Sequence, residues 1–145
     1  MRRLTPRASL AAACMASGLI AGACASLSPN TDAPISELTG SRWVAEAING
    51  APVAPASAPE IAFAAEDRLS GTSGCNAIFG FYEAEAGLIA VRGLGHTERA
   101  CAEPIMTQEQ AFLAVLHNAA RYERGADVLV IRDRAGQALT FRALR

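Results

Sequence analysis

Lysine is absent from the sequence, histidine occurs twice, and no two of its four cysteines stand at Cys-x-x-Cys spacing. Each absence removes a class of function. All thirteen basic residues are arginines, and three of them, Arg2, Arg3 and Arg7, lie at the N-terminus. Beyond residue 26, ten arginines face fourteen carboxylates, a balance near −4 with no basic stripe, so no nucleic-acid partner is expected. No Walker-type glycine-rich loop is present to hold a phosphate. Zinc sites favour paired ligand spacings, whereas Cys75, His96 and Cys101 are far apart, so neither a metal nor a cofactor is expected. The longest uncharged apolar run, from Ala8 to Ala23, is short and rich in small residues, against about 20 strongly apolar residues for a spanning helix.

What is present begins with an export pattern. Residues 1–26 carry three arginines and then no charge, the layout of a secretory signal peptide. The run LIAGAC ending at Cys24 resembles the lipobox of bacterial lipoproteins, with Gly22 and Ala23 as the small residues and Ala21 where that pattern prefers leucine. The resemblance implies cleavage after residue 23 and lipidation of Cys24. Each buried acyl methylene would add about 0.8 kcal/mol to anchoring. Ala25 rather than aspartate follows, which by the same resemblance favours the outer membrane, facing the periplasm. The alternative is an Ala-x-Ala cut after Ala23 or Ala25, which would release a soluble periplasmic protein. Residues 24–36, rich in serine, proline and alanine, read as a flexible tether, and the folded unit is expected over 37–145.

At 145 residues and 51% hydrophobic, the chain has material for one ordinary core. RWVAEAI (42–48) alternates and ends on Asn49-Gly50, a strand followed by a turn. EIAF and RLSGTS flank AAED as one hairpin, FGFYEAE and LIAVRGL flank Ala86-Gly87 as another, and VLVIR and ALTFR form a last pair. APVAPASAP reads as a loop ending at Pro59. The spacing predicts one helix near residues 107–121, with Thr107 and Gln110 as a capping box and Phe112, Leu113, Leu116 and Ala120 as its apolar stripe. The expected fold is α+β and mainly β: a compact antiparallel, barrel-like sheet of about seven or eight strands with that helix packed on it.

The candidate chemistry centres on SGTSGCNAIFGFY, residues 70–82. Cys75 as a nucleophile would need a general base, and only His96 and His117 are available; no orienting Asn or Asp can be placed beside His96, so no catalytic set is expected. His117 reads as a boundary residue of the helix. The pairs Glu66 with Asp67 and Glu83 with Glu85 read as solvated surface. Phe79 and Phe81 share one strand face, with Tyr82 on the other, and the aromatics are expected in the core. Once Cys14 and Cys24 are set aside, Cys75 and Cys101 remain as a pair in an oxidising compartment, where a disulfide is the natural inference. Closing that loop of about 26 residues would remove roughly 3–4 kcal/mol of unfolded-state entropy. Gly71, Gly74 and Gly80 allow sharp turns or close approach beside it, and Asn76 is expected to bond its own turn.

SGTSGCNAIFGFY, HTERAC and EPIMTQEQAFLAVL, in that order, resemble the META domain, also called the HslJ-like domain, of bacterial envelope proteins. RWVAEAINGAPV and VLVIRDRAGQALTFRAL extend the similarity from about Leu38 to Leu144. The motif positions are Gly74, Cys75, Asn76, Gly80, Thr97 and Cys101. The family often has arginine after the Cys-Asn pair and methionine two residues before the second cysteine, where this chain has Ala77 and Arg99. The resemblance implies a compact antiparallel barrel with a packed helix, in proteins that are frequently lipoproteins linked to heat response and antibiotic resistance, without an established reaction. A non-catalytic, stress-related envelope lipoprotein is therefore expected, its partners the membrane through the lipid and an envelope protein. The alternatives are a carrier of a small apolar ligand in the barrel and, further off, a thiol enzyme using Cys75 and His96.

Overall fold

All strand pairings of the computed structural model, which describes residues 36–145, are antiparallel. The signal peptide, Cys24 and the tether up to residue 35 lie outside the described residues. In chain order the strands are β1 (Ser41–Ile48), β2 (Ala51–Pro52), β3 (Glu60–Phe63), β4 (Arg68–Thr72), β5 (Ala77–Glu85), β6 (Leu88–His96), β7 (Ala119–Arg124), β8 (Val128–Asp133) and β9 (Ala138–Ala143). One helix, α1 (Glu103–His117), links β6 to β7. Eight strands close on themselves in the order β1-β3-β4-β5-β6-β7-β8-β9, with β9 returning to β1 from Trp43–Ala143 to Ile48–Leu139. The two-residue β2 continues the edge of β1 past the point where β3 stops.

Local chemistry accounts for most of these elements. Asn49-Gly50 and Ala86-Gly87 both take positive φ (51° and 79°, 50° and 81°), the twist that lets a two-residue turn join right-twisted strands. Asn49 also accepts a hydrogen bond at Oδ1 from the Ala138 N–H, 2.9 Å away, which ties that turn to β9. Glu66 and Asp67 form the β3–β4 turn at φ 57° and 56°, exposed as expected. Glu83 and Glu85 are exposed on β5, and Glu83 pairs with Arg92 at 2.8 Å.

The barrel interior is filled from both element types. Trp43, Ile61, Phe63, Leu69, Ile78, Tyr82, Leu129, Ile131, Leu139 and Phe141 point inward from the strands. Phe112, Val115 and Leu116 enter from α1, which packs against β1, β6, β8 and β9. Phe63 meets Tyr82 edge to face at 4.8 Å, and Phe112 meets Phe141 at 6.2 Å. Each such burial contributes roughly 1.5–3 kcal/mol.

Four expectations are corrected. The helix begins at Glu103 rather than near residue 107, because Pro104 fits its first turn, where a missing N–H costs nothing. Its N-cap is Ala102, with no side-chain cap, so the Thr107–Gln110 box does not form. The helix also ends at His117, and Ala120 with Tyr122 belongs to β7, a strand whose first residues fit the helical pattern. Finally, Phe79 and Phe81 are each 56% exposed while Tyr82 is fully buried: the alternation holds, but the face that points inward is the other one.

Candidate functional site

The SGTSGCNA stretch forms the connection between β4 and β5, and it is held by a buried polar knot. Its backbone closes where the Ser73 N–H donates to the Asn76 carbonyl at 2.8 Å. Gly74 (φ +104°) passes so close to the Pro55–Ser57 3-10 turn that a Cβ would strike the Ser57 carbonyl. That turn is itself pinned to α1 by Gln108, which accepts from the Ala54 N–H (2.7 Å) and donates to the Ser57 carbonyl (2.8 Å).

Asn76, 2% exposed, is the centre of the knot, and all four hydrogen-bonding capacities of its amide are used. Its Nδ2 donates to the Arg99 carbonyl (3.2 Å) and to Glu109 Oε2 (3.0 Å). Its Oδ1 accepts from Thr97 Oγ1 (2.8 Å) and from the Arg99 N–H (2.7 Å). The side chain therefore reaches across to the loop after β6 and to α1, not to its own turn as the sequence suggested. Thr97 Oγ1 in turn accepts from the Ala77 N–H at 3.1 Å. Arg99 contributes through its backbone alone, so this position does not depend on a particular side chain.

Glu109, 3% exposed, is not among the expected site residues, although Ser73 lies inside the motif. Its carboxylate accepts from Asn76 and from the Ser73 hydroxyl. The signal was available: Glu109 shares the helix face of Phe112 and Leu116 at i, i+3, i+7, and a charge in an apolar stripe requires partners. Around the knot, Cys75 and Cys101 are joined by a disulfide with Cα atoms 6.1 Å apart, as the cysteine count suggested. Turn, loop and helix are thus tied at one place by covalent and polar bonds together.

The remaining motif and candidate residues do not join this cluster as reacting groups. Gly80 sits in β5 with the Arg92 carbonyl 3.0 Å from where its Cβ would lie, close packing opposite a bulge. The exposed Phe79 ring lies over Gly95 of β6, in the space a Cβ there would fill, covering backbone that has no side chain of its own. His96, exposed at the end of β6, has Nδ1 2.8 Å from the Thr97 carbonyl. Among the described residues no three His, Cys, Asp or Glu side chains come together as a metal site, and no helix is long and apolar enough to cross a membrane.

Fold and site together define a small closed antiparallel barrel, with one helix packed against its interior and a cysteine-asparagine turn locked to that helix. The chain belongs to the META domain family, whose model matches residues 36–145. It is similar to a protein solved by NMR at 29% identity, covering 70% of this chain and 87% of that one with TM-score 0.60. An NMR structure of a protein from Burkholderia xenovorans matches at 24% identity, 74% and 83% coverage and TM-score 0.62. A DUF4847 family protein from Bacteroides vulgatus shares the fold at 15% identity, 73% and 94% coverage and TM-score 0.56. No curated protein matches the sequence.

Proposed function

We propose that this protein is a non-catalytic envelope lipoprotein, anchored through Cys24 at the outer membrane. Its META domain acts as a rigid partner-binding module during envelope stress. The observation that carries the reading is the Cys75–Cys101 bridge, because a disulfide tied into a buried network suits an exported domain in an oxidising compartment. The same bridge leaves Cys75 no thiolate with which to act as a nucleophile. The motif residues spend their polar groups on one another, which suits a scaffold.

The ligand-carrier alternative has less support. Trp43, Phe63, Tyr82, Phe112 and Phe141, none more than 1% exposed, occupy the space that a ligand would need. The test of the main reading has two arms. Cys24→Ala is expected to move the protein from the membrane to the soluble fraction, and unchanged outer-membrane fractionation would overturn the anchor. Affinity purification from envelope extracts, with and without heat stress, is expected to retain a protein partner on stress, and an identical empty profile in both would overturn the module role.

A further inference from the structure

The barrel is closed unevenly. β6 pairs with β5 at seven positions, but its other edge meets β7 at one position only, Leu88–Arg121, beside a 2.9 Å bond from the Tyr122 N–H to the Gly87 carbonyl. From Ala90 to His96 that edge has no partner strand among the described residues. The Thr97 N–H faces β5, where it donates to the Ala77 carbonyl at 3.0 Å. By strand alternation, His96 and Leu94 therefore turn their backbone N–H and C=O groups to the free side.

Two clefts lie one after the other along this edge. The first, about 430 Å³, is bordered by Leu88, Ala120, Arg121, Asp133 and Arg134. The second, about 490 Å³, lies between β6 and α1 and is walled by Leu94, Leu113 and Ala114, with His96 and His117 at its rim. Both volumes suit a bound group of modest size. The charge here runs against that of the domain. Residues 36–145 hold ten arginines and thirteen carboxylates, yet the first cleft is lined by Arg121 and Arg134 against one carboxylate, Asp133, whose Oδ1 already accepts from the Gln137 N–H. Neither arginine is in an ion pair among the described residues.

From these observations we infer that the free edge of β6 is a docking site for an extended peptide segment that alternates apolar and acidic residues. This rests on the partner-binding reading above and names its surface. The segment adds as a strand along Ala90–His96, about seven residues or roughly 23 Å, and follows the bulge that Gly93 (φ 58°) and Leu94 make opposite Gly80. Its main chain completes the open ladder, its apolar side chains enter the Leu94–Leu113 cleft, and its carboxylates meet Arg121 and Arg134. An unpaired backbone edge selects an extended chain, the apolar wall selects every second residue, and the two arginines select the charge.

The experiment is fluorescence anisotropy of labelled heptapeptides against the oxidised full chain. A valine–glutamate alternating peptide is expected to bind with a Kd below about 1 mM. A valine–lysine version is expected to bind at least about tenfold more weakly, as is the glutamate peptide N-methylated at alternate residues, a difference of about 1.4 kcal/mol. The variant Arg121→Glu with Arg134→Glu is expected to reverse the charge preference with an unchanged Tm. Equal binding of the N-methylated peptide, no charge reversal in the double variant, or no binding of any peptide overturns the inference. Concentration-dependent self-association through the same edge would assign it to a second copy of the chain and also overturn it. If the double variant still captures the envelope partner that the unaltered chain captures, the surface is wrong while the partner-binding reading stands.

Discussion

Asn76 Nδ2 lies 3.0 Å from Oε2 of Glu109, a hydrogen bond between a β4–β5 turn and a helix 33 residues further along the chain. Both groups are almost fully buried, and each satisfies the other. Leaving one without its partner exposes a desolvation cost of about 1–3 kcal/mol, more for a charged group.

Asn76→Ala removes four hydrogen bonds and strands the Glu109 carboxylate with the Ser73 hydroxyl alone. The expected loss is about 3–4 kcal/mol of unfolding free energy in urea titrations. Asn76→Asp is expected to be at least as damaging, because it sets a second carboxylate against Glu109 in place of a donor. A loss below about 1 kcal/mol in both variants would contradict the central role of this amide.

The bridge and the knot hold the same segments, so each backs up the other and removing both should cost at least the sum of the two losses. Cys75→Ser with Cys101→Ser is expected to lower stability by about 3–4 kcal/mol, with the helix still docked through Glu109 and Gln108. Combining it with Asn76→Ala should leave no folded domain at room temperature. A fully folded triple variant by circular dichroism would show that α1 is secured elsewhere.

Phe79 and Gly95 make a pair that a double-mutant cycle can read. Gly95→Ala alone sets a Cβ into the Phe79 ring and should cost about 1–2 kcal/mol. In a Phe79→Ala background the same change relieves a strand glycine and should be neutral or stabilising by about 0.5–1 kcal/mol. Additive effects in thermal unfolding would mean that the ring does not cover Gly95 in solution.

Tyr122 on β7 supplies a pH signature. Burial first, then its hydrogen bond and proximity to Glu37, push its phenol up to about 12 from 10.0. The folded state therefore holds the proton more tightly than the unfolded chain. Its contribution is full below about pH 10 and is lost as pH rises toward 12. Unfolding free energy should fall over that window, and Tyr122→Phe should flatten the fall. An identical slope in the variant would remove Tyr122 from the account.

Much of this architecture is legible locally. Asn49-Gly50 and Ala86-Gly87 announce their turns because positive φ is needed there, and the alternation of RWVAEAI, VLVIR and ALTFR announces strands because a half-buried strand has period two. The cysteine pairing is legible from compartment and count. The helix boundary is not, since AARYER fits a helical stripe as readily as a strand, and only pairing with β8 from Ala119 to Arg124 decides. The knot is half legible: Ser73 and Asn76 stand in the motif, while Glu109 is reached only across space.

By itself the sequence determined the strands, their turns, the bridge and the parity of side chains, because those rest on backbone sterics, period and redox chemistry within a few residues of each site. Tertiary structure alone decided the sign of that parity for Phe79, Phe81 and Tyr82, since which face is inside depends on where the barrel closes. It also decided that Asn76 serves Glu109 rather than its own turn, and that β6 keeps an edge beside α1 with no partner strand among the described residues. Both follow from the path of α1 between β6 and β7, which no local pattern encodes.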